Sequence, residues 1–103
     1  MTDPSAPVDL TGEWCQLDDQ PECAAAYPRS LTFGTGTYRG TRGEGQGFVR
    51  WDAGTYRVVA GGLRLSTATD ELVTYGLEVS GDLLTVVDPA GCRLAYRRVP
   101  PPG

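Results

Sequence analysis

Neither histidine nor lysine occurs in the 103 residues, and asparagine and isoleucine are missing as well. Without histidine there is no Ser-His-Asp or Cys-His nucleophile system, no HExxH zinc site and no imidazole proton shuttle; without lysine there is no Schiff base and no Walker-type phosphate clamp. The commonest general base is thus excluded. All nine cations are arginines, a pattern that GC-rich codon usage explains as readily as selection does. Three cysteines, Cys15, Cys23 and Cys92, are an odd number for a disulfide framework, and without a fourth ligand at CxxC spacing they make a poor zinc site, so no metal and no cofactor is expected. No apolar run approaches the roughly 20 residues that span a bilayer, and no membrane association is expected. Met1 to Pro7 offers neither a basic n-region nor an apolar h-region, which sets the cytoplasm as the expected compartment and reduced thiols as the expected state. If the chain is exported instead, Cys15 with Cys23, closing a short loop, is the expected bridge.

The net charge of −4 argues against nucleic acid, which needs a basic face to displace counterions. The charge is uneven. Residues 1–28 hold acids and no base, whereas residues 29–64 hold Arg29, Arg39, Arg42, Arg50, Arg57 and Arg64 against only Glu44 and Asp52. Such a basic middle suits either an acidic ligand or an ordinary outward strand face balanced by acids elsewhere.

Fourteen glycines and eight prolines, with no stretch of apolar residues at helical spacing, leave little room for helix. Short β-branched and aromatic runs alternate instead with turn signals: Asp52-Ala53-Gly54, Gly61-Gly62, Thr69-Asp70-Glu71, Ser80-Gly81-Asp82 and Asp88-Pro89-Ala90-Gly91. This spacing is that of an antiparallel meander. Gly61-Gly62 suits a two-residue primed turn, and Asp88 to Gly91 a type I turn closed by a left-handed glycine. The strands expected are 12–17, 30–33, 37–42, 48–52, 55–60, 63–68, 72–79, 83–88 and 92–99, with 30–33 the one that merges with its neighbour. In 72–79 the alternation sets Val73, Tyr75, Leu77 and Val79 on one face against Thr74 and Glu78; in 92–99 it sets Cys92, Leu94, Tyr96 and Arg98 against Arg93, Ala95 and Arg97. The fold class expected is all-β: a small closed antiparallel up-and-down barrel of about eight strands, residues 9–99, behind a flexible arm over 1–8 and ahead of a Pro-rich tail over 100–103. Closure removes exposed strand edges, and a barrel of this size either fills with side chains or holds one small ligand. The glycine-rich stretch 40–47 lacks the strand-to-helix context of a phosphate loop and is expected to be a flexible hairpin loop at one barrel mouth, able to serve as a lid.

Leu10-Thr11-Gly12-Glu13-Trp14 opening the first strand, with the last strand ending in Tyr96-Arg97-Arg98, resembles the calycin superfamily of lipocalin-like barrels. The resemblance implies that Gly12 and Trp14 lie beneath an arginine of the last strand, Arg98 or Arg97 one register away, and that these residues close the barrel floor. A planar guanidinium can stack on an indole and still satisfy terminal carbonyls. The chain is shorter than a typical lipocalin and ends in Pro100-Pro101-Pro102-Gly103, which implies a small cavity and no helix after the barrel. The first strand is also similar to that of avidin-type binders, although the later tryptophans that wall biotin have no counterpart beyond Trp51. A further resemblance, to small lipocalin-like metalloprotease inhibitors, implies an arm that enters a protease cleft.

Three functions follow as expectations. The first is binding of a small apolar or aromatic ligand in the barrel interior by Tyr38, Trp51, Tyr56, Tyr75 and Tyr96, residues that would serve equally as core. The second is recognition of a protein partner, such as a protease, through residues 1–8. The third is a shape-directed cyclase or isomerase; no catalytic residue is assigned, because Asp52, Asp70, Glu71 and Asp88 sit beside turns where carboxylates cap their own backbone. Cys92 is expected to be a buried thiol.

Overall fold

Period-two alternation decides where these residues become strands. The computed structural model describes residues 10–18, 20–60 and 62–100. The expected arm over 1–8 lies outside the described residues, as does 101–103. Eight strands follow one another: β1 Gly12–Gln16, β2 Ser30–Phe33, β3 Thr37–Thr41, β4 Ala53–Val59, β5 Gly62–Ser66, β6 Leu72–Ser80, β7 Leu83–Val87 and β8 Arg93–Arg98, with one 3-10 turn over Glu22–Ala26. Each pairs antiparallel with the next and β8 returns to β1, so the sheet closes as an up-and-down barrel, the fold class expected. Along β6, Val73, Tyr75, Leu77 and Val79 turn inward while Thr74, Glu78 and Ser80 turn out; along β8, Leu94 and Tyr96 are inward and Arg93 and Arg97 outward. A one-residue slip would exchange these faces, so burial of one face fixes the register.

Two strand expectations are corrected. Residues 30–33 do not merge with their neighbour: they form β2, which the turn at Gly34 to Gly36, with Gly36 at φ 76°, separates from β3. The segment 48–52 is not a strand. It alternates as one, with Val49 and Trp51 buried between exposed Phe48 and Arg50, yet it has no ladder partner. The Arg50 N–H donates to Ala26 O at 2.8 Å, the Arg50 carbonyl accepts from Ala68 N at 2.7 Å, and the Asp52 carbonyl accepts from Gly40 N at 2.7 Å. Three single bonds to three different elements carry this segment across the barrel end. Gly40 is required there, because a Cβ would overlap the Trp51 carbonyl and crowd the Pro28 ring. The expected Gly61-Gly62 turn is corrected at its second residue: Gly62 already pairs with Val59 and opens β5, while Gly61 lies outside the described residues. Gly62 has a packing role, since a Cβ there would lie 2.8 Å from Tyr75 O. The turn at Asp88 is as expected, with Gly91 N donating to Asp88 O at 2.9 Å and Gly91 at φ 92°.

The two barrel ends differ. Antiparallel order puts the short β2–β3, β4–β5 and β6–β7 connections at one end, with the start of β1 and the finish of β8. At that end the Arg98 guanidinium lies 4.3 Å from the Trp14 ring centre and its Nη1 donates to Thr11 O at 2.8 Å, while Trp14 Nε1 donates to Leu10 O at 2.9 Å. Arg98 Nε also stands 3.8 Å from Asp82 Oδ1. Gly12, at φ 128°, keeps clear the space where a Cβ would meet Arg98 Nη1 at 3.1 Å. It is Arg98 that makes this closure; Arg97 faces outward between Cys15 and Leu83. Arg98→Lys keeps the charge but removes the planar stack and the fork of donors. It is expected to cost about 1 kcal/mol, a fall of about 4–8 °C in melting temperature for a domain of this size, read by calorimetry.

The cysteine expectations are corrected too. Cys23 and Cys92 form a disulfide across 69 residues with their Cα atoms 6.1 Å apart, and Cys15 is free and exposed. Cys15 points outward from β1, away from Cys23, whereas the 3-10 turn carries Cys23 over the barrel end to Cys92 in the β7–β8 connection. Cys92 is therefore a bridged half-cystine and not a buried thiol. No helix among the described residues is long and apolar enough to cross a membrane.

Candidate ligand cavity at the open mouth

The four longer connections, 17–29, 42–52, 67–71 and 88–92, converge on the end opposite Arg98. Between them lies a cavity of about 360 Å³, walled by Tyr27, Phe48, Val73, Tyr75 and Pro89 and edged by Arg50, Thr67, Thr69, Glu71 and Asp88.

Of the five aromatic residues expected to line a ligand, only Tyr75 lines this cavity. Trp51 is fully buried directly behind it, ring centres 5.2 Å apart and nearly perpendicular. Its Nε1 makes no hydrogen bond, and the polar group facing it is the Tyr75 hydroxyl. Tyr96 is wholly core: its hydroxyl donates to Pro28 O at 2.6 Å. Tyr38 and Tyr56 flank Phe33, with their hydroxyls on Ser66 O and Gly34 O. The structure therefore does not gather these five around one space. A barrel of short strands is filled by its own inward side chains, and room remains only where the strands end.

Tyr27, which the sequence reading left aside, is the hinge of the site. Its ring packs 4.4 Å from Trp51 and its hydroxyl donates to Asp88 Oδ2 at 2.7 Å. Asp88 Oδ1 accepts from Ala90 N at 2.9 Å and from Cys92 N at 2.8 Å, the self-capping expected of an aspartate before a turn. Burial alone would raise the Asp88 pKa, but the Tyr27 hydroxyl, the two backbone amides and the Arg50 charge together outweigh it and hold the carboxyl below its ordinary value. Burial, reinforced by the bond to Asp88, pushes the Tyr27 hydroxyl upward; burial does the same to Tyr75, Tyr38 and Tyr96. For a carboxylate whose folded pKa is depressed, the stability it contributes is present above its unfolded pKa and lost as pH falls through the folded one. Asp88→Ala, which removes an ionised acceptor from three donors, is expected to cost about 2–3 kcal/mol at pH 7. Its denaturation midpoint should converge with that of the parent as pH drops through and below the carboxylate range; a constant gap would contradict the assignment.

The connection over 42–52 joins β3 to β4 at the mouth, where the hairpin loop was expected over 40–47, and it is bonded to its surroundings. Gln46 stitches it to the chain before β2: Oε1 accepts from Gly43 N at 2.7 Å and Arg29 N at 3.1 Å, and Nε2 donates to Tyr27 O at 2.7 Å and Ala25 O at 3.3 Å. The cavity walls are accordingly fixed: one by these bonds, one by the disulfide, and one by the 67–71 turn, where Asp70 adopts φ 62° and Glu71 N donates to Thr67 Oγ1 at 3.3 Å.

Comparison with known protein families, with curated proteins and with solved structures finds no match for this chain.

Proposed function

We propose that the protein binds a small ligand with an apolar or aromatic body in the cavity at the open mouth. The observation that carries this reading is the cavity itself, about 360 Å³ in volume, lined by aromatic rings and by polar and charged side chains in similar measure. Small-molecule sites have this size. Phe48, 67% exposed at the rim, offers its ring to the ligand, and the nearly buried Tyr75 lines the floor. The stack of Arg98 on Trp14 beside Gly12, in an eight-stranded closed barrel, supports placing the protein among lipocalin-like barrels, with the ligand moved from the barrel interior to its mouth. Asp88 commits both oxygens to holding the turn and Tyr27, which favours binding over acid–base chemistry. The disulfide supports an oxidising compartment over the cytoplasm, where such bridges are rare.

Ala90 is an exposed residue of the cavity edge, so a large side chain there can enter the space without disturbing the core. Ala90→Trp is expected to abolish binding of a neutral aromatic probe, indole, in an equilibrium titration, with little change in melting temperature. Undiminished indole binding by that variant would refute the cavity as the site.

A further inference from the structure

We propose that the ligand is a small zwitterion with an apolar body, of the kind a free aromatic amino acid presents. The proposal rests on the mouth cavity being the binding site and adds the charge pattern that the site recognises. Three charged side chains edge the cavity: Arg50, Glu71 and Asp88. Asp88 is already satisfied by Tyr27 and by two backbone amides. The other two are not. Among the described residues, neither the Arg50 guanidinium nor the Glu71 carboxylate makes a hydrogen bond or an ion pair, with each other or with any third group. Both line the same cavity without closing on one another, and Arg50, whose charge also acts on Asp88, forms no ion pair with it.

Their backbones are held. Arg50 is bracketed by bonds to Ala26 and Ala68, and Glu71 by Thr67, whose N–H donates to Glu71 O at 2.8 Å. A ligand carrying one charge would satisfy one of these groups and leave its own charge beside the other. A ligand carrying both would place its carboxylate on the Arg50 fork and its ammonium on Glu71, with its body against Tyr75, Phe48 and Val73. Opposite charges held apart at the edge of an apolar-walled cavity select for a dipolar partner and against a neutral one.

Four probes of one ring size test this by titration of amide shifts at pH 7: free L-phenylalanine, phenethylamine, phenylpropionate and benzyl alcohol. L-phenylalanine should bind most tightly, the two singly charged probes about fivefold more weakly, and benzyl alcohol weakest. Arg50→Gln should reduce affinity for L-phenylalanine and phenylpropionate and spare phenethylamine; Glu71→Gln should reduce affinity for L-phenylalanine and phenethylamine and spare phenylpropionate. Both side chains are exposed, so the variants keep the fold. Benzyl alcohol binding at the cavity as tightly as L-phenylalanine overturns the zwitterion and leaves the binding site standing. Absence of shifts around the cavity with all four overturns the binding site as well.

Discussion

Replacing Cys23 and Cys92 together by alanine is expected to lower the unfolding free energy by about 4 kcal/mol at 25 °C, the chain-entropy value for a loop spanning 69 residues. Against the 5–15 kcal/mol typical of a whole domain, that is a large fraction. The reason lies in what the bridge joins. The 3-10 turn Glu22–Ala26 has no strand partner and no side-chain cap, and it is tied to the barrel by Cys23, by the bond from Gln16 Nε2 to Ala24 O, and by the Gln46 stitch. Without the bridge, the turn that carries Tyr27 over Trp51 is held only by hydrogen bonds and by the packing of Ala24 and Tyr27. The measurement is denaturant unfolding in a Cys15→Ser background, so that the free thiol cannot exchange. A loss under 1 kcal/mol, or peptide mapping that joins Cys15 to Cys23 in the parent, would contradict the pairing.

Trp51→Ala is expected to cost about 3–5 kcal/mol. The indole is fully buried and touches Tyr27, Tyr75 and Tyr96, with ring centres 4.4, 5.2 and 6.4 Å away, so truncation leaves a void at the base of the mouth that three packed rings cannot collapse to fill. Trp51→Phe separates the causes. It retains most of the packing and removes an N–H that faces the Tyr75 hydroxyl without making a well-formed hydrogen bond, and it should cost well under half as much. Equal losses in the two variants would mean that the indole nitrogen matters more than the volume. Tyr75 fluorescence should also change in Trp51→Ala, since its near-perpendicular partner is gone.

Much of this fold is written in short-range patterns. Alternation placed Tyr75, Leu94 and Tyr96 inside and Arg93 and Arg97 outside because a closed barrel has one wet face and one dry face, and each strand carries that contrast unaided. The Gly12, Trp14 and Arg98 grouping was legible only through the resemblance of the first and last strands to lipocalin-like barrels, and closure does bring those two strands together. Phe48 to Trp51 misled for an instructive reason: a segment laid across a barrel end also buries alternate residues, and only the missing ladder partner tells it from a strand. That misreading hid Arg50, which an outward strand position would have left on the barrel wall. The disulfide was illegible because Cys23 and Cys92 meet through the converging connections at the mouth, a contact with no local signature. Tyr27 was missed because its placement depends on the same convergence.

The most direct measurement is amide chemical-shift mapping of the intact protein with indole as the probe. Saturable shifts confined to Tyr27 and to residues 48–51, 67–75 and 88–92, with Gly12, Trp14 and Arg98 unmoved, are the expected result. Shifts centred on the Trp14 end, on the outer strand faces, or nowhere at saturating indole would contradict a binding site at the open mouth.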